Sequence, residues 1–217
     1  MGCLIACPGI AAAQQIFSPD ESASKDNFVY SLLPTTPFPS TTYLGASVES
    51  TGLHTVYSNI EFDLSAATIG PAEAAFLLLG TRSNVGTPFG SVSSNPAPAT
   101  PVNVDVYRIT SAWLETTPWN GRPDVDPLPV ASFTVQSVDE IYSIDVTDTV
   151  RSWVNGIHPN FGFQLRQRSV VPVAGAADAA VVFHSAGGAF RPTLLIPEPS
   201  AVAMLLLPCC FLRRFRA

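Results

Sequence analysis

The chain has 217 residues, 47% of them apolar and only 13% charged, with 20 Pro and 14 Gly. That is enough apolar mass for one domain with its own core and argues against a long disordered chain; charge at about half the usual ~25% argues against an architecture of charged amphipathic helices. Net charge is −6, and residues 14–196 carry 16 acids against 8 bases, which disfavours a nucleic-acid partner because phosphate contacts need a basic face.

Residues 1–13 are apolar or small and end Ala11-Ala12-Ala13 ahead of Gln14-Gln15, the order of an export signal with a small-residue cleavage site. Leu4-Ile5-Ala6-Cys7 also has the form of a lipobox, with Cys7 as lipid acceptor. Residues 14–24 are expected to be a linker. Cys3 and Cys7 lie in the leader and Cys209 and Cys210 in the tail, so the domain between them has no thiol for a disulfide or a metal site.

Alternation of period two then recurs. Ile60, Phe62 and Leu64 alternate with Asn59, Glu61 and Asp63; Val102, Val104 and Val106 with Asn103, Asp105 and Tyr107; Phe161, Phe163 and Leu165 with Gly162, Gln164 and Arg166. Further strands are expected at 28–32, 42–46, 74–79, 131–135, 141–146, 180–184 and 193–196, separated by Pro, Gly, Asn and Ser clusters. The stretch 82–101 reads as a long exposed excursion. One helix is expected, because Val146, Val150, Trp153 and Val154 fall on a single stripe, with Asp145 or Thr147 as N-cap and Gly156 just beyond. The fold class that follows is all-β: a single jelly-roll-like two-sheet β-sandwich over 25–196 with one short helix.

Candidate site residues are few. Trp113 and Trp153 sit on apolar positions and read as core, whereas Trp119 lies among Thr117, Pro118, Asn120 and Gly121, where a ring can present its face to a sugar. Gln164, Arg166 and Arg168 share the face opposite Phe163 and Leu165 and form either a solvated row or one that hydrogen-bonds sugar hydroxyls and uronic carboxylates. Asp63 and Asp145 each stand in an apolar-Asp-apolar-hydroxyl pattern, which fits an Asx-turn or cap, or a calcium ligand. No other cofactor is indicated. His54, His158 and His184 lack metal-ligand spacing, no nucleophile elbow or phosphate-binding glycine loop occurs, and a carboxylate pair for glycoside chemistry, such as Glu115 with Asp124 or Asp126, stays open.

At the other end Pro197-Glu198-Pro199 leads into the apolar run 201–212 and then Arg213, Arg214 and Arg216. This order resembles the PEP-CTERM sorting signal of exopolysaccharide-producing Gram-negative bacteria. The resemblance implies recognition of 197–199 by a membrane exosortase, transient membrane insertion of the apolar run, and a cytoplasmic arginine end within the tail 197–217; the last agrees with the retention of Lys and Arg inside. Within the domain, Asp26-Asn27-Phe28-Val29-Tyr30, YSNIEFDLS from Tyr57, VDVYRITSAWLETTPWNGRP from Val104, SIDVTDTVRSWVNGIHPNFGFQL from Ser143 and VFHSAGGAFRPTLLI from Val182 follow one another. This succession resembles the DNRLRE domain, a β-sandwich related to carbohydrate-binding modules, and implies a non-catalytic extracellular module. The expectation is therefore an exported protein of the cell envelope, outer surface or matrix that binds polysaccharide. A structural envelope protein without a ligand site and an unrecognised glycan hydrolase or lyase stand as the alternatives.

Overall fold

The computed structural model describes residues 14–19, 25–39, 43–48, 55–71, 73–82, 101–168 and 180–197. The leader 1–13, the excursion at 83–100, His54, and the tail residues Glu198, Pro199, Arg213, Arg214 and Arg216 lie outside them. The described residues form eleven strands and one α-helix: β1 Gln15–Phe17, β2 Lys25–Tyr30, β3 Tyr43–Val48, β4 Thr55–Glu61, β5 Phe76–Gly80, β6 Val102–Arg108, β7 Ala131–Val135, β8 Ile141–Asp145, α1 Thr147–Val154, β9 Phe163–Gln167, β10 Ala180–His184 and β11 Thr193–Ile196. They make a sandwich of two antiparallel sheets, one in the order β1-β11-β5-β8 and the other β10-β3-β4-β9-β6-β7, with β2 also pairing with β4.

The alternation read in the sequence decides which face each strand buries. Ile60, Leu77, Leu79, Val104, Val106, Phe163, Leu165, Phe183 and Leu194 meet between the sheets, all with no exposed surface. Each such side chain contributes on the order of 1.5–3 kcal/mol of apolar burial. Helix α1 lays Val146, Val150 and Trp153 on the same core, and the Trp153 ring tilts against Phe163 at 4.7 Å. The N-cap position falls on Val146, not on Asp145 or Thr147, and carries no side-chain cap; Asp145, one residue earlier, braces the entry to the helix, its Oδ1 accepting the Thr147 N–H at 2.9 Å and the Thr147 hydroxyl at 2.6 Å. Gly156, at φ 69°, closes it. Where β3 diverges from β4, the Ser58 hydroxyl bridges the gap, accepting from the Gly45 N–H and donating to the Gly45 carbonyl, both at 2.7 Å.

Three other expectations change. The segment 14–24, read as a linker, supplies β1, whose Gln15, Ile16 and Phe17 pair with Ile196, Leu195 and Leu194. Three residues are too few for a periodicity signal; the free edge of β11 and the apolar core contact of Phe17 recruit them. The alternation at 60–64 stops being a strand at Glu61, because Asp63 Oδ1 accepts the Ser65 N–H and turns the chain. The alternation at 161–165 becomes a strand only at Phe163, because Gly162 adopts φ 86°.

Burial and hydrogen bonding set a pH dependence. Asp26 on β2 is buried, and desolvation, only partly offset by the Ala186 N–H it accepts at 2.7 Å and reinforced by Glu115, pushes its carboxyl up to about 6. The folded value exceeds the unfolded one, so the fold gains stability as pH falls from above 6 towards 4, by about 2 kcal/mol. His184, which burial and Arg82 hold below its ordinary value, opposes this in the same window. Asp105 and Asp145, held below the usual carboxylate range, lose their contribution only at still lower pH. Comparing thermal midpoints of wild type and Asp26→Asn isolates the Asp26 part: the variant gains most at pH 7.5, and the gap closes by pH 4.5. A gap that does not change with pH overturns it.

Candidate functional site

The outward face of the larger sheet is built by register. Tyr57 on β4 stands opposite Arg166 on β9, Arg166 opposite Asp105 on β6, and Gln164 opposite both Asn59 and Tyr107. All of these point away from the core because their strand neighbours Ser58, Ile60, Leu165 and Val106 point in or across the ladder.

A long loop then folds over this face. It leaves β6 at Ile109, which bridges to Val125, and its base is clamped by Arg108, whose Nε and Nη2 donate to the two Asp126 oxygens at 2.7 and 2.9 Å. Trp113 is the loop's buried anchor: its indole N–H donates to the Phe161 carbonyl at 2.8 Å. A short 3-10 helix, Trp119–Gly121, follows, tied to the neighbouring 31–39 turn by the Asn120 N–H donating to the Pro34 carbonyl. It sets the half-buried Trp119 ring 5.1 Å from Tyr57, tilted by 35°.

Two arginines complete the cluster. The Arg122 guanidinium lies 4.4 Å from the Trp119 ring centre, and that of Arg166 lies 4.5 Å from Tyr57 and 4.7 Å from Tyr107. The chain of contacts is thus Arg122, Trp119, Tyr57, Arg166, Tyr107. Neither arginine has a carboxylate partner among the described residues, whereas Lys25, Arg108, Arg151 and Arg168 each have one. Burial pulls Arg166 below its ordinary value; the nearby Tyr57 and Tyr107 work the other way, and Arg122 adds to the lowering.

The row expected from the sequence divides into three roles. Gln164 is fully buried and its amide is consumed: Nε2 donates to Asn59 Oδ1 at 2.7 Å and Oε1 accepts Arg166 Nε at 2.6 Å. It is therefore a support, not a contact for a ligand, because it has no exposed surface and both amide atoms are taken. Arg168 is exposed but committed to Asp105, with Nη2 donating to Oδ1 at 2.6 Å and to the Ser132 hydroxyl at 3.0 Å. Burial alone raises the Asp105 carboxyl, but the hydrogen bonds from Arg168 and Ser132 outweigh it and hold the group below the usual range. Arg166 and Trp119 do come together. The sequence reading missed Tyr57, Tyr107 and Arg122; the available signal was that both tyrosines occupy outward strand positions and that Arg122 follows Trp119 by three residues.

The calcium candidates are accounted for locally. Asp63 and Asp145 each use Oδ1 to accept the N–H two residues on, an Asx-turn. No group of three or more His, Cys, Asp or Glu that could hold a metal occurs among the described residues. Of the carboxylates weighed for glycoside chemistry, Asp126 is bound through both oxygens to Arg108. No helix among the described residues is long and apolar enough to cross a membrane.

Residues 19–198 match the family model of carbohydrate-binding module family 96. No curated protein matches the chain.

Proposed function

This chain belongs to carbohydrate-binding module family 96, and on that premise we propose that its outward cluster of Tyr57, Tyr107, Trp119, Arg122 and Arg166 binds a polysaccharide carrying acidic groups. The observation that carries the reading is the pair of arginines held against aromatic rings with no carboxylate partner among the described residues, in a chain of net charge −6. Flat rings stack on the C–H faces of sugars, and a guanidinium takes a carboxylate or sulfate through paired N–H donors. The remaining negative charge repels an anionic polymer elsewhere on the surface and so confines it to this face.

The protein acts, in this reading, as a non-catalytic exported module. The DNRLRE-like phrases support the extracellular role, and the Pro-Glu-Pro, apolar and arginine order of the tail supports sorting by an exosortase through transient membrane insertion. Affinity electrophoresis of the full chain through gels containing polygalacturonate, or neutral dextran, tests the binding. Retardation by polygalacturonate that falls as salt rises from about 0.05 to 0.5 M is expected, since the screening length shrinks from about 14 to about 4 Å over that range. Free migration in both gels at low salt overturns the reading in favour of a purely structural role.

A further inference from the structure

Behind the aromatic cluster three buried amides form a directional relay. Arg166 Nε donates to Gln164 Oε1 at 2.6 Å, Gln164 Nε2 to Asn59 Oδ1 at 2.7 Å, and Asn59 Nδ2 to Asn27 Oδ1 at 2.8 Å. Asn27 Nδ2 then donates to the carbonyls of Glu115, Thr117 and Leu114 at 3.0, 3.3 and 3.4 Å. Gln164, Asn59 and Asn27 have no exposed surface and sit on three neighbouring strands, β9, β4 and β2. The polarity is fixed from both ends: a guanidinium can only donate and a peptide carbonyl can only accept, so no amide can turn without leaving two like atoms facing each other.

One end of the relay aims Arg166 between Tyr57 and Tyr107, occupying Nε and leaving the terminal nitrogens without a hydrogen-bond partner among the described residues. The other end holds the loop that carries Trp119 and Arg122. We propose that Asn27, Asn59 and Gln164 are positioning residues that couple the arginine floor of the site to its tryptophan wall, so that both grip and release a ligand as one unit. That the ligand is a glycan rests on the function proposed above; the coupling does not.

Gln164→Glu tests it without any ligand. The introduced carboxylate still accepts from Arg166 but has no proton for Asn59; turning the two asparagines moves the mismatch along the relay to the 114–117 carbonyls, which have nothing to donate. Acrylamide quenching of tryptophan emission reads the far end, since Trp113 and Trp153 are buried and Trp119 dominates the accessible signal. At pH 7.5 quenching is expected to rise about twofold over wild type while the Arg166 Nε–H NMR signal stays protected. Lowering the pH until the introduced carboxyl is protonated restores a donor and returns quenching to the wild-type value measured at the same pH, a reversal that a merely space-filling role does not produce. A folded Gln164→Glu protein with wild-type quenching at pH 7.5 overturns the coupling.

Asn27→Ala cuts the relay at the loop and is expected to speed exchange of the Arg166 Nε–H, assigned by its absence in Arg166→Lys; unchanged exchange overturns the proposal. So does rapid exchange of that proton in the wild-type protein, which needs no variant to fold. Polygalacturonate binding by Asn27→Ala is a separate readout. A roughly tenfold loss is expected where the site reading holds, whereas absence of polygalacturonate binding by wild type sinks the glycan reading and leaves the ligand-free result standing.

Discussion

Replacing Gly162 by Ala is expected to cost about 2–5 kcal/mol, roughly 1–2 from the left-handed backbone and 1–3 from overpacking. Gly162 holds φ 86°, and a Cβ there would lie 2.1 Å from the Ile60 carbonyl oxygen and 2.8 Å from the Glu61 Cα. Both are backbone atoms, so no rotamer can relieve the clash. The residue is also bonded on each side: its N–H donates to Asn160 Oδ1 at 3.0 Å, its carbonyl accepts the Ile109 N–H at 2.9 Å, and Asn160 Nδ2 donates to the Phe62 carbonyl at 2.8 Å. Moving the chain away would break the start of β9 where Phe163 pairs with Ile60, and with it the joint between β4, β9 and the loop. Since domains of this kind retain only about 5–15 kcal/mol in total, the variant stands at the edge of folding. Gly156→Ala is the control. It shares the backbone constraint at φ 69° but has nothing within 4 Å of its Cβ position, so a loss of about 1 kcal/mol is expected. Urea midpoints of the two variants measure the difference; equal losses would show that the close approach at Ile60 is of no consequence.

The two arginines of β9 and its end are expected to separate cleanly. Arg166→Ala should reduce affinity for polygalacturonate roughly a hundredfold, the scale of a central interface anchor. It removes the guanidinium stacked on Tyr57 and Tyr107 together with the charge, and it costs about 1–3 kcal/mol of stability as well, because the buried Gln164 oxygen loses its donor. Arg166→Lys keeps the charge but not the plane or the Nε donor, and should recover about a tenth of the lost factor. Arg168→Ala should leave affinity within about twofold while destabilising the fold by about 1–3 kcal/mol, because the Asp105 carboxylate, whose side chain is 8% exposed, is left with Ser132 alone. Titration calorimetry and thermal midpoints on the three proteins decide this. An Arg168→Ala protein that loses affinity as steeply as Arg166→Ala would put the binding face further along β9 than the aromatic cluster.

Why these two side chains differ could not be read along the chain. Gln164, Arg166 and Arg168 recur every second residue and have the same standing in the sequence; alternation states only that they share a face. What each meets is decided by partners far away. Asp105 lies across the ladder on β6 and claims Arg168; Asn59 on β4, held in turn by Asn27 on β2, takes the Gln164 amide; the loop from Ile109 to Val125 is bonded to Asn27 and brings Trp119 to Tyr57. The same holds for Asp63 and Asp145, where the local pattern allowed either a turn or a cation and the backbone N–H two residues on takes the oxygen.

By itself the sequence determined the all-β class, the buried faces of Val102 to Val106 and Phe163 to Leu165, and the single helical stripe of Val146, Val150 and Trp153 with its glycine stop. These depend on periods of two and 3.6 residues, which are local properties of the backbone. Only the tertiary structure decided that Gln15–Phe17 closes a sheet on β11 at the opposite end of the chain, and that one arginine of an equivalent row stands open between aromatic rings while its neighbours are bonded away. Strand order and loop placement are set by contacts between residues tens to more than a hundred positions apart, and no pattern along the chain encodes which of several chemically alike side chains those contacts will reach.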